Sequence, residues 1–111
     1  MVDEMFAAEE WHVELCSDGY DALDKLTGNA HYDVLVVDND LPGLSGLELV
    51  QRARKITHRR RTPIVLLSGS DCETEAWGAG VDAFLRKPEQ ISKLPPTINR
   101  VLKAERKKDQ G

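Results

Sequence analysis

The chain has 111 residues, the size of a single domain, which excludes a two-lobed enzyme with separate cofactor and substrate domains. Hydrophobic residues make up 41% and charged residues 31%, with 8 Gly and 5 Pro, which excludes a disordered or collagenous chain. The formal net charge is −4.

That net charge is unevenly spread: residues 1–50 carry −11 and residues 51–111 carry +7. One interpretation is two solvated faces; the other is an acidic pocket in the first half and a basic docking surface in the second. Arg59-Arg60-Arg61 and Arg106-Lys107-Lys108 lack the interleaved aromatics of a nucleic-acid site, so direct nucleic-acid binding is not expected. Cys16 and Cys72 cannot build a disulfide scaffold and show no metal-ligand spacing, which points to a reducing cytoplasm. No apolar run approaches the roughly 20 residues of a membrane span, and the start of the chain lacks the basic and apolar segments of a signal peptide. Nor do His12, His31 and His58 form a zinc pattern.

In chain order, Met1, Val2, Met5 and Phe6 pair at helical spacing and predict an amphipathic helix over residues 1–9. Alternation over residues 11–16 predicts a strand, stopped by Ser17-Asp18-Gly19. Tyr20, Leu23 and Leu26 mark a helix face, with Asp18 as cap and Gly28-Asn29 as stop. Residues 33–38 place four apolar residues between two acids, the pattern of a strand covered on both faces. Pro42-Gly43 makes a turn, and Ser45 with Glu48 forms a capping box opening a helix to about residue 57. Residues 62–67 predict a second buried strand, with Pro63 tolerated at its start. A helix over residues 71–79, closed by Gly80, precedes a short strand over residues 82–86 and the Lys87-Pro88 stop. Ile91, Leu94, Ile98, Val101 and Leu102 predict a last helix whose regular part starts at Pro95 or Pro96.

Helices and strands thus alternate, which predicts an α/β fold: a doubly wound parallel sheet with helices on both faces. Ligands of such sheets bind beyond the carboxyl ends of the strands. Asp38, Ser68 and Lys87 each occupy such a position. A carboxylate nucleophile, a hydroxyl and an ammonium together form a phosphoryl-transfer set, with Mg²⁺ as the expected hard cation. Cys72 could be an exposed thiol near a helix start, and Trp77 is expected to pack on or cap a helix.

Val36-Val37-Asp38 followed by residues 41–48, Pro63-Ile64-Val65-Leu66-Leu67-Ser68-Gly69, residues 79–88 ending in Lys87-Pro88, and Cys16-Ser17-Asp18-Gly19 together resemble the receiver domain of bacterial response regulators. The resemblance covers nearly the whole chain. It implies a flavodoxin-like sheet, with Asp38 as the phospho-acceptor, Ser68 as the switch hydroxyl, Lys87 as the phosphoryl-binding lysine and Phe84 as the switch aromatic. Asp38 and the backbone carbonyl of Asp40 would hold Mg²⁺. The implied partners are a sensor histidine kinase or phosphotransfer protein and a downstream output protein.

The front of the chain departs from that pattern. The family's first, central strand and its acidic pair are expected to be absent, because the chain starts within the following helix and Asp3 and Glu4 lie on that helix. Mg²⁺ binding is then expected to be weakened or lost, with the Asp40 side chain as a partial substitute ligand. The edges left by a missing strand could be closed by the flanking strands, covered by a second copy of the chain in a homodimer, or filled by sequence upstream of Met1. Residues 1–104 are expected to form the receiver domain and residues 105–111 a basic tail. Two other readings remain: a receiver-like interaction module that is not phosphorylated, and, from Asp38-Asn39-Asp40, a resemblance to the haloacid-dehalogenase-type phosphatases. The second is opposed by Pro42 and by the lack of an acidic pair after the lysine.

Overall fold

The computed structural model describes the backbone of residues 18–110 and side chains as far as residue 105; the helix expected over residues 1–9 and the strand expected over residues 11–16 lie outside them. The described elements are α1 (Gly19–Thr27), β1 (Leu35–Asp38), α2 (Gly46–Lys55), a 3-10 turn (Thr57–Arg59), β2 (Ile64–Ser68), α3 (Glu73–Ala79), β3 (Ala83–Arg86), a second 3-10 turn (Ile91–Lys93) and α4 (Leu94–Gln110).

The three described strands form a parallel sheet in the order β1-β2-β3. All five residues of β2 are buried, so its side chains must feed two cores, one on each face of the sheet. Ile64 and Leu66 join Val37 and residues of α1, α2 and α3 on one face. Val65 and Leu67 join Ala83 and Leu85 of β3 and Leu94, Ile98 and Val101 of α4 on the other. This two-sided covering is the doubly wound arrangement that the alternation predicts and the flavodoxin-like sheet that the resemblance implies.

Strand limits are narrower at their starts than expected, for identifiable reasons. β2 begins at Ile64 because Pro63 has no N–H to give a ladder; its carbonyl instead accepts from Leu35 N at 2.8 Å. Asp82 stays outside β3, where its carboxylate accepts from Ile64 N at 2.8 Å and from Arg54 Nη2 at 2.9 Å. Arg54, on α2, also donates to Gly80 O at 2.9 and 2.7 Å and to Thr62 O at 2.8 Å. One guanidinium thereby ties α2 to the entrances of β2 and β3, satisfying carbonyls that would otherwise be left without donors.

Helix ends follow the local chemistry. Asp18 caps α1 by accepting from Asp21 N at 2.8 Å, and Ser45 caps α2 by accepting from Glu48 N at 3.2 Å. Gly80 closes α3 at φ 107°, a conformation open to glycine. The carboxyl end of α1 is held by Arg59, which donates to Leu26 O at 3.0 Å and Gly28 O at 3.1 Å and lies 4.9 Å over the Tyr32 ring centroid. Arg59 is 2% exposed, so this member of the Arg59-Arg60-Arg61 run belongs to the interior. Arg61 pairs with Glu105 of α4 at 3.3 Å.

α4 starts at Leu94, after the 3-10 turn, with Pro95 and Pro96 in its first turn, where a missing N–H costs nothing. It continues through residues 105–110, the stretch expected to form a separate tail; Lys, Arg, Glu and Gln there are good helix formers.

Candidate functional site

The sheet register sets the geometry of the carboxyl edge. Asp38 pairs with Leu67, one residue before Ser68, and Ser68 pairs with Arg86, one residue before Lys87. The three strand-end residues therefore form a staircase that climbs one position per strand.

Lys87 spans that staircase. Its Nζ lies 2.9 Å from Asp38 Oδ1 and 3.0 Å from Asp40 Oδ2. Asp38 Oδ1 also accepts from Asp40 N at 2.9 Å, and Asp40 Oδ2 accepts from Gly69 N at 2.9 Å. The Lys87 and Asp38 side chains are 27% and 34% exposed, so the cluster is half-buried and open to solvent. The hydrogen bond from Lys87, then the Gly69 amide, hold the Asp40 carboxyl below its usual range against a small opposing effect of burial. Partial desolvation pulls the Lys87 ammonium down, yet the bonds and charges of Asp38 and Asp40 outweigh it and leave it above its usual value.

Ser68 stands beside this cluster and faces another way. It is fully buried, its Oγ accepting from Ser70 N at 3.1 Å and from Cys72 Sγ at 3.5 Å and sharing a hydrogen bond with Ser70 Oγ at 3.0 Å. Phe84, in β3, is half-buried against the core shared with α2 and α3. The structure thus brings Asp38, Asp40 and Lys87 into one bonded group, with the Ser68 hydroxyl turned to the loop that follows it.

Asn39 supports the group from below, a role its single loop position did not signal. Its N–H donates to Leu67 O at 2.8 Å, its Oδ1 accepts from Leu47 N at 3.0 Å, and its Nδ2 points at Cys72 Sγ at 3.8 Å. Gly46 permits this: a Cβ there would lie 2.7 Å from Asn39 Cα and 2.9 Å from Leu66 Cδ1. Cys72 is buried, at 9% exposure, which corrects the expectation of an exposed thiol: the start of α3 packs onto the end of β2 and covers it. Trp77 donates to Glu73 Oε2 at 3.2 Å along its own helix and stays half-exposed.

The contacts of the Asp40 side chain were also not anticipated; the only signal was a second acid two residues beyond a strand-end acid, facing a glycine after the next strand. Among the described residues no group of three or more His, Cys, Asp or Glu side chains is placed to hold a metal ion. The Asp38 carboxylate and the main-chain carbonyl of Asp40 are nonetheless hard oxygen donors of the kind Mg²⁺ takes, with water and phosphoryl oxygens completing its shell. The donor chemistry fits that ion. Among the described residues no helix is long and apolar enough to cross a membrane.

Comparison with known proteins covers nearly the whole chain. The family model for the response regulator receiver domain matches residues 1–99. The response regulator ArlR of Staphylococcus aureus is 34% identical over 104 residues, which is 91% of this chain and 46% of that protein, so the chain spans about half the length of the curated relatives it matches. Among solved structures, a Francisella response regulator receiver domain superposes with TM-score 0.82 at 30% identity, covering 93% of this chain and 85% of that one. The receiver domain of a sensor histidine kinase from Pseudomonas aeruginosa, with magnesium coordinated in its active site cleft, superposes with TM-score 0.80 at 25% identity, covering 91% and 84%. The phosphatase resemblance rests on the triplet Asp38-Asn39-Asp40 with a downstream serine and lysine.

Proposed function

The chain belongs to the response regulator receiver domain family of two-component signalling, and from that premise we propose that Asp38 accepts a phosphoryl group from a phosphohistidine of a sensor histidine kinase or phosphotransfer protein. A carboxylate oxygen of Asp38 attacks phosphorus, the P–O bond forms as the P–N bond breaks, and the departing imidazole nitrogen keeps the electron pair and takes a proton from solvent. No general base is needed, because a carboxylate attacks through an oxygen lone pair with no proton to lose.

The observation that carries this reading is the Lys87 ammonium 2.9 Å from Asp38 Oδ1 at the carboxyl edge of a parallel sheet. An ammonium fixed there before reaction offsets charge building on the phosphoryl oxygens with little rearrangement. Asp38 and the Asp40 carbonyl would hold Mg²⁺, which supplies further neutralisation of those oxygens when bound. Ser68 then leaves Ser70 and Cys72, turns toward the phosphoryl group, and Phe84 follows, changing the surface offered to an output protein. In this reading the chain is a stoichiometric acceptor working in the cytoplasm, not an enzyme.

Treatment with acetyl phosphate and Mg²⁺ tests it: intact mass should rise by one phosphoryl group in the wild type and not in Asp38→Asn. An unmodified wild type, together with failure to bind beryllofluoride, would replace this reading with that of an unphosphorylated interaction module.

A further inference from the structure

A phosphoryl group on Asp38 brings up to two negative charges and three acceptor oxygens, and it needs donors close to the carboxylate that carries it. Lys87 Nζ is one, 2.9 Å from Asp38 Oδ1. The Gly69 amide is another: it heads the loop after β2 and points to the same edge, as its bond to Asp40 shows. Both are already engaged. Asp40 Oδ2 lies 2.9 Å from Gly69 N and 3.0 Å from Lys87 Nζ, so a single anionic oxygen sits on an amide and an ammonium in the manner of a bound phosphoryl oxygen. The approach is close: a Cβ at Gly69 would stand 3.2 Å from that oxygen.

We propose that the Asp40 carboxylate is a built-in occupant of the phosphoryl-binding corner, an autoinhibitory contact that must leave Gly69 and Lys87 before a phosphoryl group on Asp38 can take them. The inference rests on the acceptor reading above. Its chemistry is competition: one carboxylate is tied to the donors by chain connectivity at high effective concentration, and it also repels an incoming dianion. The rival role for the same side chain, a ligand for Mg²⁺, has the opposite consequence, because removing it would then weaken every Mg²⁺-dependent anion at Asp38.

Beryllofluoride titration in the presence of Mg²⁺ separates the two, read through the Gly69 amide cross-peak in ¹H–¹⁵N spectra of the full chain. Asp40→Asn keeps an acceptor for the amide and removes the charge; Asp40→Ala removes both. Both variants should bind beryllofluoride roughly tenfold more tightly than wild type, about 1.4 kcal/mol, with cross-peaks remote from the site unmoved by the substitutions themselves. Binding by the variants where wild type shows none also supports the proposal, the wild-type acceptor then being held shut by Asp40 rather than lacking. Equal affinity in all three, or weaker binding in the variants, overturns the competition while leaving Asp38 as acceptor; weaker binding assigns the carboxylate to the metal. Absence of binding in wild type and both variants, with spectra matching Asp38→Asn under the same additions, removes the acceptor reading and this proposal with it.

Discussion

Replacing Lys87 with Met keeps much of its apolar stem and removes the charge that joins Asp38 to Asp40. A pair of unit charges about 4 Å apart is worth about 1 kcal/mol in water and about 4 kcal/mol at an effective dielectric of 20. The Asp40 side chain is 44% exposed and Lys87 27%, so solvent screening brings each of the two contacts down to about 1 kcal/mol, near the upper limit for exposed pairs. The replacement also leaves two carboxylates side by side, joined through the Asp40 N–H to Asp38 Oδ1 bond at 2.9 Å. The expected loss is therefore about 2 kcal/mol of unfolding free energy, read by urea denaturation near pH 7 at low salt with an unchanged m value. In a double-mutant cycle, Lys87→Met and Asp40→Asn should show a coupling of about 1 kcal/mol that shrinks as salt is added. A coupling within the roughly 0.3–0.5 kcal/mol scatter of distant sites would mean that the contact contributes nothing in solution, and the reasoning would fail.

Three further outcomes are expected. Arg54→Ala should cost about 2–4 kcal/mol, since it takes the Arg54 donor from Gly80 O and Thr62 O and leaves the Asp82 carboxylate with Ile64 N but without its cation; a loss below about 1 kcal/mol in urea denaturation would show that water replaces it. Gly19→Ala should destabilise by at least about 2 kcal/mol because its Cβ would lie 2.0 Å from Leu44 O, whereas Gly78→Ala, with nothing within 4 Å, should gain about 0.5–1 kcal/mol from helix propensity. Thermal melts of the pair that move in the same direction would contradict the close packing of α1 on the loop after β1. Finally, the raised Lys87 contributes stability that is complete below pH 10.5 and lost as pH climbs through its folded value, while the lowered Asp40 contributes above pH 3.8 and loses it as pH falls. Asp40→Asn should flatten the acid limb of a stability profile, and Lys87→Met the alkaline limb; identical profiles for wild type and both variants would refute the assignment.

The parts of the fold that could be read from sequence were those with local causes. Asp18 and Ser45 announce helix starts through their own hydrogen bonds, Gly80 a stop through its backbone, and the apolar runs ending at Asp38 and Ser68 a sheet covered on both faces. Strand-end position alone brought Asp38, Ser68 and Lys87 to one edge. What escaped was set by partners distant in the chain. Arg59 looked like one of three surface arginines, and only the approach of the α1 terminus and Tyr32 makes a buried site for it. Arg54 gave no hint of its bonds to Gly80 and Asp82, and Cys72 became buried because α3 folds over the end of β2. The Asp40 side chain was legible as acidic but not as bound to Gly69, since that contact depends on the offset between β1 and β2.

That offset gives the Lys87 side chain a measuring role. Two steps of about 3.3 Å along the strands and two inter-strand spacings of about 4.8 Å separate the backbones of residues 38 and 87 by roughly 12 Å, a gap that a short aspartate, a hydrogen bond and a nearly extended lysine stem just close. The contact thus works as a calliper across three strands. A slip of one residue between β2 and β3 would turn the Lys87 stem to the opposite face of the sheet and open the jaws. Persistence of the Lys87–Asp38 bond therefore reports strand alignment at the edge where Asp38, Asp40 and Lys87 meet.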